Sequence, residues 1–339
     1  MPSPKLLVLA LMPLTLLGCS RPIIEKFEGF AQGTTYHVSY WSDAPLDTKA
    51  IRVRVEQEFA VIDKLLSNYR PDSVIETFNS VENTESQAVG PEIVALVRIA
   101  QIVNLASKGC YDLTIKPLFD LWGFRGESLT IPSDSAIVSE LKKVGMSKLE
   151  VADDTHLRKQ QADLKVDLSS IAQGYSVTRI SDVLAQYGIK HYLVEIGGEL
   201  KTAGYKPDLD PWRIAVERPL PGAQTLQKII SLPKDSPAAV MTSGTYRHYF
   251  DANGQRFSHI LDARVGRPVT HNLVSVTVIH ADSAIADAWS TALLCLGQAE
   301  GMKVANAEKI AALFITQQTN QLVESKSDAL SAAGNIVIH

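Results

Sequence analysis

Asp287 and Thr291 are two oxygen-bearing residues whose spacing could serve metal chemistry. They are four positions apart in a stretch of helical periodicity that Asp282 or Ser283 can cap, so both side chains project from one face of a helix. One carboxylate with hydroxyl or carbonyl oxygens is how proteins hold Mg²⁺ when substrate phosphates complete its coordination shell. The alternative is that Thr291 bonds back to a helical carbonyl while Asp287 faces water. The spacing alone leaves both interpretations open.

The stretch Asp167–Tyr175, with the sequence DLSSIAQGY, is a candidate phosphate site. A strand is expected to end at Asp167, and Ser169 or Ser170 can cap the helix that follows. The free backbone N–H groups and the positive dipole end of such a helix attract phosphate. A capped helix start without any ligand fits the same residues equally well.

His259 is a candidate general base. It stands three residues before Asp262, which could orient it, and Arg264 just beyond could face a phosphate. The spacing in this region predicts two strands joined by a hairpin turn across Asn253-Gly254. A structural histidine without a catalytic role is the alternative.

Two further polar clusters each follow a predicted helix. In the first, Tyr69 could stack on a flat ring. In the second, Asp112 could accept a hydrogen bond from a ring N–H. The aromatic residues Trp122 and Phe124, a little further on, fit the protein core equally well.

Hydrophobic periodicity predicts the elements that must position these side chains. Runs of strands with only occasional helices favour an α+β fold with a largely antiparallel sheet and packed helices. No linker or repeat divides the chain, so residues 31–339 are expected to form one compact catalytic domain. The predicted helices are 48–67, 91–109, 170–187 and 283–296, and the predicted strands are 34–41, 163–168, 191–196, 212–217, 238–242, 257–261, 273–279 and 311–316.

The composition excludes several classes of protein. The chain has 33 Lys and Arg against 37 Asp and Glu, and the resulting formal net charge of −4 excludes the broad basic surface of non-specific nucleic-acid binding. Hydrophobic residues make up 45% of the chain, which is enough for a sizeable core. The cysteines at 19, 110 and 295 are too few for a disulfide framework and lack the paired spacing of a zinc site, so Cys110 is expected to be a free thiol.

Residues 1–18 have the features of an export signal. Lys5 precedes an apolar run that is too short to span a bilayer comfortably. The run ends in Leu17-Gly18-Cys19, which resembles the bacterial lipoprotein box, where the cysteine is lipidated with chains such as palmitate. We therefore predict a signal peptide at 1–18, a lipidated Cys19 with a short spacer at 19–30, and a lipid-anchored periplasmic protein. An ordinary cleaved signal, or an uncleaved anchor, is the alternative.

Eight short motifs, in order along the chain, resemble the ApbE family of lipoproteins, the FAD:protein FMN transferases. The resemblance extends from about residue 32 to the final predicted strand. Each motif is weak alone, but chance does not readily place eight of them in the same order. The motifs are Gly33-Thr34, Leu66–Tyr69, Asp112–Thr114, Asp167–Tyr175, Glu195–Glu199, Thr242–Gly244, His259–Asp262 and Ala286–Thr291.

The resemblance implies a Mg²⁺-dependent enzyme that splits FAD at its pyrophosphate. FMN passes to a threonine hydroxyl of an acceptor flavoprotein, and AMP leaves. The implied acceptors are membrane redox subunits of Na⁺-pumping quinone reductases or Rnf-type complexes, which favours the periplasmic side of the inner membrane, although Ser20 also permits the outer membrane. Two other functions remain open for the same site: a periplasmic FAD pyrophosphatase that gives FMN and AMP, and a non-catalytic FAD-binding lipoprotein.

The resemblance also implies roles for individual residues. Asp287, Thr291 and an oxygen of Ser170 would hold Mg²⁺, and His259 would take the proton from the acceptor threonine. The residues that match flavin- or adenine-contacting positions are Gln32, Tyr69, Cys110, Tyr111, Asp112, Asp167, Gln173 and Ile260.

Two of these residues depart from the family pattern. Gln32 stands where the family has Met, so a thioether contact becomes an amide contact. Gln173 stands where Lys or Glu is frequent, which removes a charge. Neither departure affects the metal pair or His259.

Overall fold

Antiparallel β-strands dominate the fold. The structure is a computed structural model, and it describes residues 22–339 except 125, 127, 128, 220–224, 247, 248, 253, 254 and 320. The strands are β1 (Glu25–Ala31), β2 (Thr34–Trp41), β3 (Ser86–Ala88), β4 (Leu149–Val151), β5 (His156–Lys159), β6 (His191–Ile196), β7 (Glu199–Ala203), β8 (Arg213–Glu217), β9 (Leu226–Ser231), β10 (Ala238–Gly244), β11 (Tyr249–Ala252), β12 (Gln255–Ser258), β13 (Leu261–Asp262), β14 (Arg267–Pro268), β15 (Leu273–His280), β16 (Ala311–Gln318), β17 (Gln321–Lys326) and β18 (Val337–Ile338). The helices are α1 (Thr48–Leu66), α2 (Val74–Ser80), α3 (Pro91–Ala106), α4 (Lys116–Trp122), α5 (Asp134–Leu141), α6 (Ala172–Gln186), α7 (Ser283–Ala307) and α8 (Asp328–Ala332).

Eight strands form one central sheet, in the order β1-β2-β6-β7-β10-β15-β16-β17. Two three-stranded sheets, β18-β9-β8 and β3-β5-β4, and the hairpins β11-β12 and β13-β14 complete the strand pairing. The strand pairs within the described residues are all antiparallel. The predicted α+β fold with a largely antiparallel sheet is confirmed.

The two faces of the central sheet pack against different layers. One face carries α1, α3, α6 and α7, whose apolar side chains form the main core with those of the sheet. The other face carries the sheet β18-β9-β8 and α8. Neighbouring residues of β10 show the alternation that a strand imposes, because Met241 belongs to the first core and Val240 to the second. Polar residues on α6, α7 and the inner face of β10 therefore meet on the helix-covered side.

The helices begin and end close to where periodicity placed them. The bounds of α1, α3 and α6 differ from the predicted ones by at most three residues. The predicted helix at 283–296 is present, but α7 resumes after a break at Gly297, where φ is 76°. A Cβ at Gly297 would lie 2.8 Å from Cδ2 of His271, so both the positive φ and the close packing require glycine here.

Residues 163–168 do not form the predicted strand. The backbone of this segment bonds to side-chain amides of Asn68 and Asn79 instead of a neighbouring strand. The N–H of Asp167 donates to the carbonyl of Leu113 at 2.7 Å. The apolar alternation that suggested a strand is real, but its backbone partners are distant in sequence.

The predicted spacer at 19–30 is too long. Residues 25–31 form β1, which pairs with β2 from Glu25 opposite Tyr40 to Ala31 opposite Thr34. The two strands join at Gln32-Gly33, where φ is 53° and 75°, as a two-residue hairpin turn requires. The folded domain therefore begins at β1, before the predicted boundary at residue 31.

The predicted strand at 257–261 is divided, because β12 ends at Ser258 and β13 begins at Leu261. The expected hairpin is confirmed by the pairing of β11 with β12. Its turn residues Asn253-Gly254 lie outside the described residues, as do the predicted signal peptide 1–18 and Cys19. Within the described part of the chain, no helix is both long and apolar enough to cross a bilayer.

Candidate active site

Asp287 lies near the start of α7 and connects that helix to α6. Its Oδ2 accepts a hydrogen bond from the backbone N–H of Gly174 at 2.8 Å. The N-cap residue of α6 is Ile171, which makes no side-chain capping bond, so the expected cap by Ser169 or Ser170 is wrong. The carboxylate of Asp287 supplies the missing acceptor from a neighbouring helix, at the positive end of the α6 dipole.

Close packing of the two helices makes this contact possible. A Cβ at Gly174 would lie 2.7 Å from Cβ of Asp287 and would clash with the carbonyl oxygen of Ser283. Since no side chain larger than hydrogen fits, glycine allows α6 to approach α7 within reach of the carboxylate.

The electrostatic surroundings of Asp287 favour a cation. The side chain is buried, and burial raises the pKa of Asp287 to about 7. The single hydrogen bond from Gly174 opposes this effect without overcoming it. A buried carboxylate without a counter-charge is costly, and a bound divalent ion would supply that charge and favour the ionised form.

Thr291 lies one helical turn beyond Asp287. Its hydroxyl is 3.0 Å from Oγ of Ser243 on β10, and Ser243 is 2.8 Å from Oγ of Ser290. Ser290 in turn donates to the carbonyl of Asp287 at 2.9 Å. The alternative in which Thr291 bonds to its own helix and Asp287 faces water is therefore wrong. Ser290 and Ser243 received no role from the sequence, although each belongs to one of the quoted motifs.

Ser170 contacts the segment that precedes α4. Its Oγ donates to Oη of Tyr111 at 3.2 Å. The Tyr111 side chain is buried, and burial raises the pKa of its hydroxyl well above the usual value, so the phenol stays protonated. The structure thus brings the third predicted metal residue against a predicted flavin-contact residue.

Asp112 and Asp167 form polar turns next to Tyr111. Oδ1 of Asp112 accepts from the N–H of Thr114 at 2.7 Å, and Oδ2 accepts from the N–H of Met146 at 2.9 Å. Burial raises the pKa of Asp112, while these bonds oppose the shift. Oδ1 of Asp167 accepts from the N–H of Ser169 at 2.8 Å. Donors within the protein therefore reach both oxygens of Asp112. The flavin contacts of both aspartates stay predictions.

Gln32, in the β1-β2 turn, reaches α6, and Gln173, on α6, reaches Gly197 between β6 and β7. Nε2 of Gln32 donates to Oγ of Ser176 on α6 at 2.8 Å, while its Oε1 is buried without a partner among the described residues. A Cβ at Gly197 would lie 2.9 Å from both Nε2 of Gln173 and Cγ2 of Thr34. The missing side chain at Gly197, with φ at 61°, leaves the space that the Gln173 amide occupies.

Tyr69 and Ile260 differ sharply in exposure. The Tyr69 side chain is 75% exposed, whereas Ile260 is buried. An exposed aromatic ring can stack on a flat ligand, and this role of Tyr69 stays a prediction. The N–H of Ile260 donates to Oγ of Ser258 at 3.1 Å, and its carbonyl accepts from Val269 at 2.9 Å, so the Ile260 backbone is firmly held.

His259 is partly buried between β12 and β13. Both oxygens of Asp262 bond to Arg264, at 2.9 Å and 2.7 Å. The role of Asp262 as the orienting acid of His259 stays a prediction. This ion pair uses part of the Arg264 guanidinium, and the expected contact of Arg264 with a phosphate stays a prediction. Trp122, one of the aromatic residues with an uncertain role, is a core residue whose Nε1 donates to the carbonyl of Gly266 at 2.9 Å.

Cys110 forms a disulfide with Cys295, so the prediction of a free thiol is wrong. The two Cα atoms are 6.0 Å apart and the residues are 185 positions apart in sequence, a separation that no local spacing rule detects. The bond links the Cys110–Asp112 segment to α7, the helix of Asp287. The same sulfurs and Asp262 are also close enough to hold a metal, but sulfurs bonded to each other are not thiolate ligands.

Fold and site together define a class of protein: an α+β protein of one compact domain, whose candidate site lies where two helices meet an antiparallel sheet. The sequence profile of the ApbE family matches residues 32–314. The chain belongs to the ApbE family.

Curated relatives and solved structures agree with this assignment. The FAD:protein FMN transferase of Vibrio cholerae serotype O1 is 36% identical over 320 residues, 93% of this chain and 95% of the relative. The FAD:protein FMN transferase of Escherichia coli (strain K12) is 33% identical over 87% of this chain and 85% of the relative. The crystal structure of the Pseudomonas stutzeri flavinyl transferase ApbE, in its apo form, has a TM-score of 0.83 and 37% identity over 92% of this chain and 97% of that one. These relatives are transferases that act on flavin.

Proposed function

We propose that this protein is a Mg²⁺-dependent FAD:protein FMN transferase. The observation that carries the proposal is the buried Asp287 carboxylate at the N-terminus of α6, one turn from Thr291, in a chain whose relatives have this activity. A threonine oxygen of the acceptor forms a bond to the FMN-side phosphorus of FAD. The bond from that phosphorus to the bridging oxygen breaks, AMP leaves with its electron pair, and the threonine proton is taken up by a base.

Asp287, Thr291 and Ser170 are the residues that would hold Mg²⁺. Asp287 fits because its buried carboxylate receives one backbone hydrogen bond and burial disfavours its ionised form without a cation. When bound, the ion neutralises the pyrophosphate and the charge that develops on the AMP leaving group. Ser243 holds the Thr291 hydroxyl and so orients its oxygen.

The flavin part of FAD would bind among residues that line the two helices and the β1-β2 turn. Oε1 of Gln32 is a buried acceptor without a partner in the described structure, which fits a donor such as a flavin ring N–H. The exposed Tyr69 ring offers a stacking surface. Asp167, Tyr111, Gln173 and Ile260 are the further contacts that we propose for FAD.

His259 is the proposed base for the acceptor threonine. An imidazole with an unperturbed pKa of about 6.5 accepts a proton readily near neutral pH. Its place at the junction of β12 and β13 puts it beside Ile260, one of the proposed flavin contacts.

We propose a periplasmic location with a lipid anchor at Cys19, and acceptors that are membrane redox subunits of Na⁺-pumping quinone reductases or Rnf-type complexes. The Cys110–Cys295 disulfide supports an extracytoplasmic location, because disulfides persist in oxidising compartments such as the periplasm. The leader sequence supports the same location independently.

Product analysis tests this proposal. The mature chain is incubated with FAD, MgCl₂ and a candidate acceptor subunit, and the acceptor mass and released nucleotides are measured. Transfer predicts an acceptor mass gain equal to FMN, stoichiometric AMP, and loss of both in Asp287→Asn. Asp282→Asn is the matched control, since it removes an exposed carboxylate from the same helix while keeping its capping oxygen.

Two outcomes would contradict the proposal. AMP and free FMN without labelling of several acceptors would indicate a pyrophosphatase. Tight FAD binding without cleavage would indicate a binding protein.

A further inference from the structure

Asp167 lies in the segment 164–168, which does not belong to a sheet. Asn68 replaces a strand partner, because its Nδ2 donates to the carbonyl of Val166 at 3.2 Å and its Oδ1 accepts from the N–H of Leu168 at 2.7 Å. These two bonds lie on either side of Asp167. One side chain therefore fixes the backbone both before and after the aspartate.

A second amide, Asn79, bonds to the same segment in a different place. Its Nδ2 donates to the carbonyl of Val166 at 2.8 Å, and its Oδ1 accepts from the N–H of the same residue at 2.7 Å. In the described structure, both of these Asn79 bonds are to Val166, so they hold the segment before Asp167.

Glu76 fixes the orientation of both amides. Its Oε1 accepts from Nδ2 of Asn68 and from Nδ2 of Asn79, each at 3.0 Å, and from Nζ of the buried Lys116 at 2.7 Å. Burial raises the pKa of Glu76, but the hydrogen bonds and the Lys116 charge outweigh it and hold the pKa below its usual value. Because an ionised carboxylate only accepts, each amide must turn its NH₂ group toward Glu76 and its oxygen toward the backbone.

Asn68 also directly precedes Tyr69. The Asn68 side chain is nearly buried, whereas the Tyr69 side chain is 75% exposed. The same residue thus anchors the backbone from which the exposed ring projects and the backbone that carries Asp167. Asn79, at the end of α2, has no such neighbour in the site.

We infer that Asn68 is a positioning residue that sets the distance between the Tyr69 ring and Asp167, and thereby the affinity for FAD. The inference rests on the proposed function, in which both residues contact FAD. Asn68 itself does not touch the substrate; it acts through its neighbours. Its loss leaves the Leu168 N–H unpaired and removes the side-chain bonds that tie the residue before Tyr69 to the Asp167 segment, whereas loss of Asn79 leaves the Asn68 bonds on both sides of Asp167.

The test is a double-mutant cycle on FAD affinity, measured by fluorescence titration of the mature protein with FAD and MgCl₂. We expect Asn68→Ala to raise the FAD dissociation constant about tenfold in the wild-type background, because a buried N–H loses its partner. In the Tyr69→Ala background the same change should raise it less than about threefold, since the ring it positions is gone. The KM for FAD should follow the dissociation constant while kcat changes little.

Asn79→Ala is the matched control. It removes bonds to the same segment and should lower the melting temperature about as much as Asn68→Ala does. Its effect on FAD affinity should be small, and equal in the wild-type and Tyr69→Ala backgrounds. If Asn68→Ala is not recovered folded, Asn68→Ser, which keeps a small acceptor, takes its place in the cycle.

The inference is overturned if the effect of Asn68→Ala is equal in both backgrounds, or if Asn79→Ala weakens FAD binding as much. Failure of the proposed function looks different. Wild-type protein that binds FAD but labels no acceptor refutes the transferase and leaves this cycle measurable, whereas wild-type protein that binds no FAD refutes both.

Discussion

Asp112 and Asp287 are both buried carboxylates of the candidate site, and burial raises the pKa of each. The two carboxylates differ in the hydrogen-bond donors that surround them. Asp112 accepts from Thr114, Met146 and Asn104, so it serves as the polar centre of a turn. Asp287 accepts one backbone N–H, from Gly174. Two acids of similar burial therefore differ in their partners among the described residues: Asp112 completes a turn, and Asp287 is the residue proposed to hold a cation.

The largest effect should come from Asp287→Asn. We expect the rate of FMN transfer to fall at least about a thousandfold, about 4 kcal/mol of transition-state stabilisation, because the amide cannot replace the carboxylate charge beside the pyrophosphate. Single-turnover kinetics with saturating FAD measures this. If the variant retained a tenth of the wild-type rate, Asp287 would not have the proposed role in catalysis.

Asp112→Ala should mainly affect stability. It leaves the buried N–H groups of Thr114 and Met146 without acceptors, so we expect a loss of about 3 kcal/mol in the free energy of unfolding. Urea denaturation without Mg²⁺ measures this loss. The same experiment on Asp287→Ala should show a clearly smaller loss in the free energy of unfolding. Equal losses would contradict the proposal that Asp112 is mainly structural and Asp287 is not.

Mg²⁺ should stabilise the folded protein through Asp287. At a concentration about a hundredfold above its dissociation constant, the ion should add about 2.7 kcal/mol to the free energy of unfolding. Thermal melts with and without EDTA measure the change. Asp287→Asn should lose this response, whereas Asp112→Asn should keep it. A response that survives in Asp287→Asn would place the ion elsewhere.

The smallest effect should come from Ser243→Ala, because Ser243 orients Thr291 without holding the ion itself. We expect a rate about fivefold lower, about 1 kcal/mol, with stability almost unchanged. Steady-state kinetics at several Mg²⁺ concentrations would show whether the loss is recovered by more metal. A loss as large as that of Asp287→Asn would give Ser243 a direct role.

The sequence predicted what depends on local periodicity. The bounds of β2 agree with the alternation in Thr34–Trp41, and those of α1 and α6 with three- and four-residue apolar spacing. The Asp287 and Thr291 pair was also visible, because residues four apart on a helix share a face.

The remaining features depend on contacts between distant segments. The apolar pattern of residues 163–168 predicted a strand. The segment instead bonds to Asn68 and Asn79, about one hundred positions away, and no local pattern reveals such partners. The cap of α6 by Asp287 required knowledge of how two helices pack. The Cys110–Cys295 bond had one available signal: if Cys19 carries lipid, the other two cysteines form an even set.

The early start of β1 has a consequence for the proposed lipid anchor, because it would limit how far the folded domain could lie from the membrane. Glu25 is six positions after Cys19, and six residues extend at most about 20 Å. A lipid at Cys19 would therefore be a short tether that keeps the folded domain within a thin layer above the bilayer. Encounters with acceptors embedded in the same membrane would then occur by lateral diffusion, at a high effective concentration, and a freely diffusing acceptor would gain no such advantage.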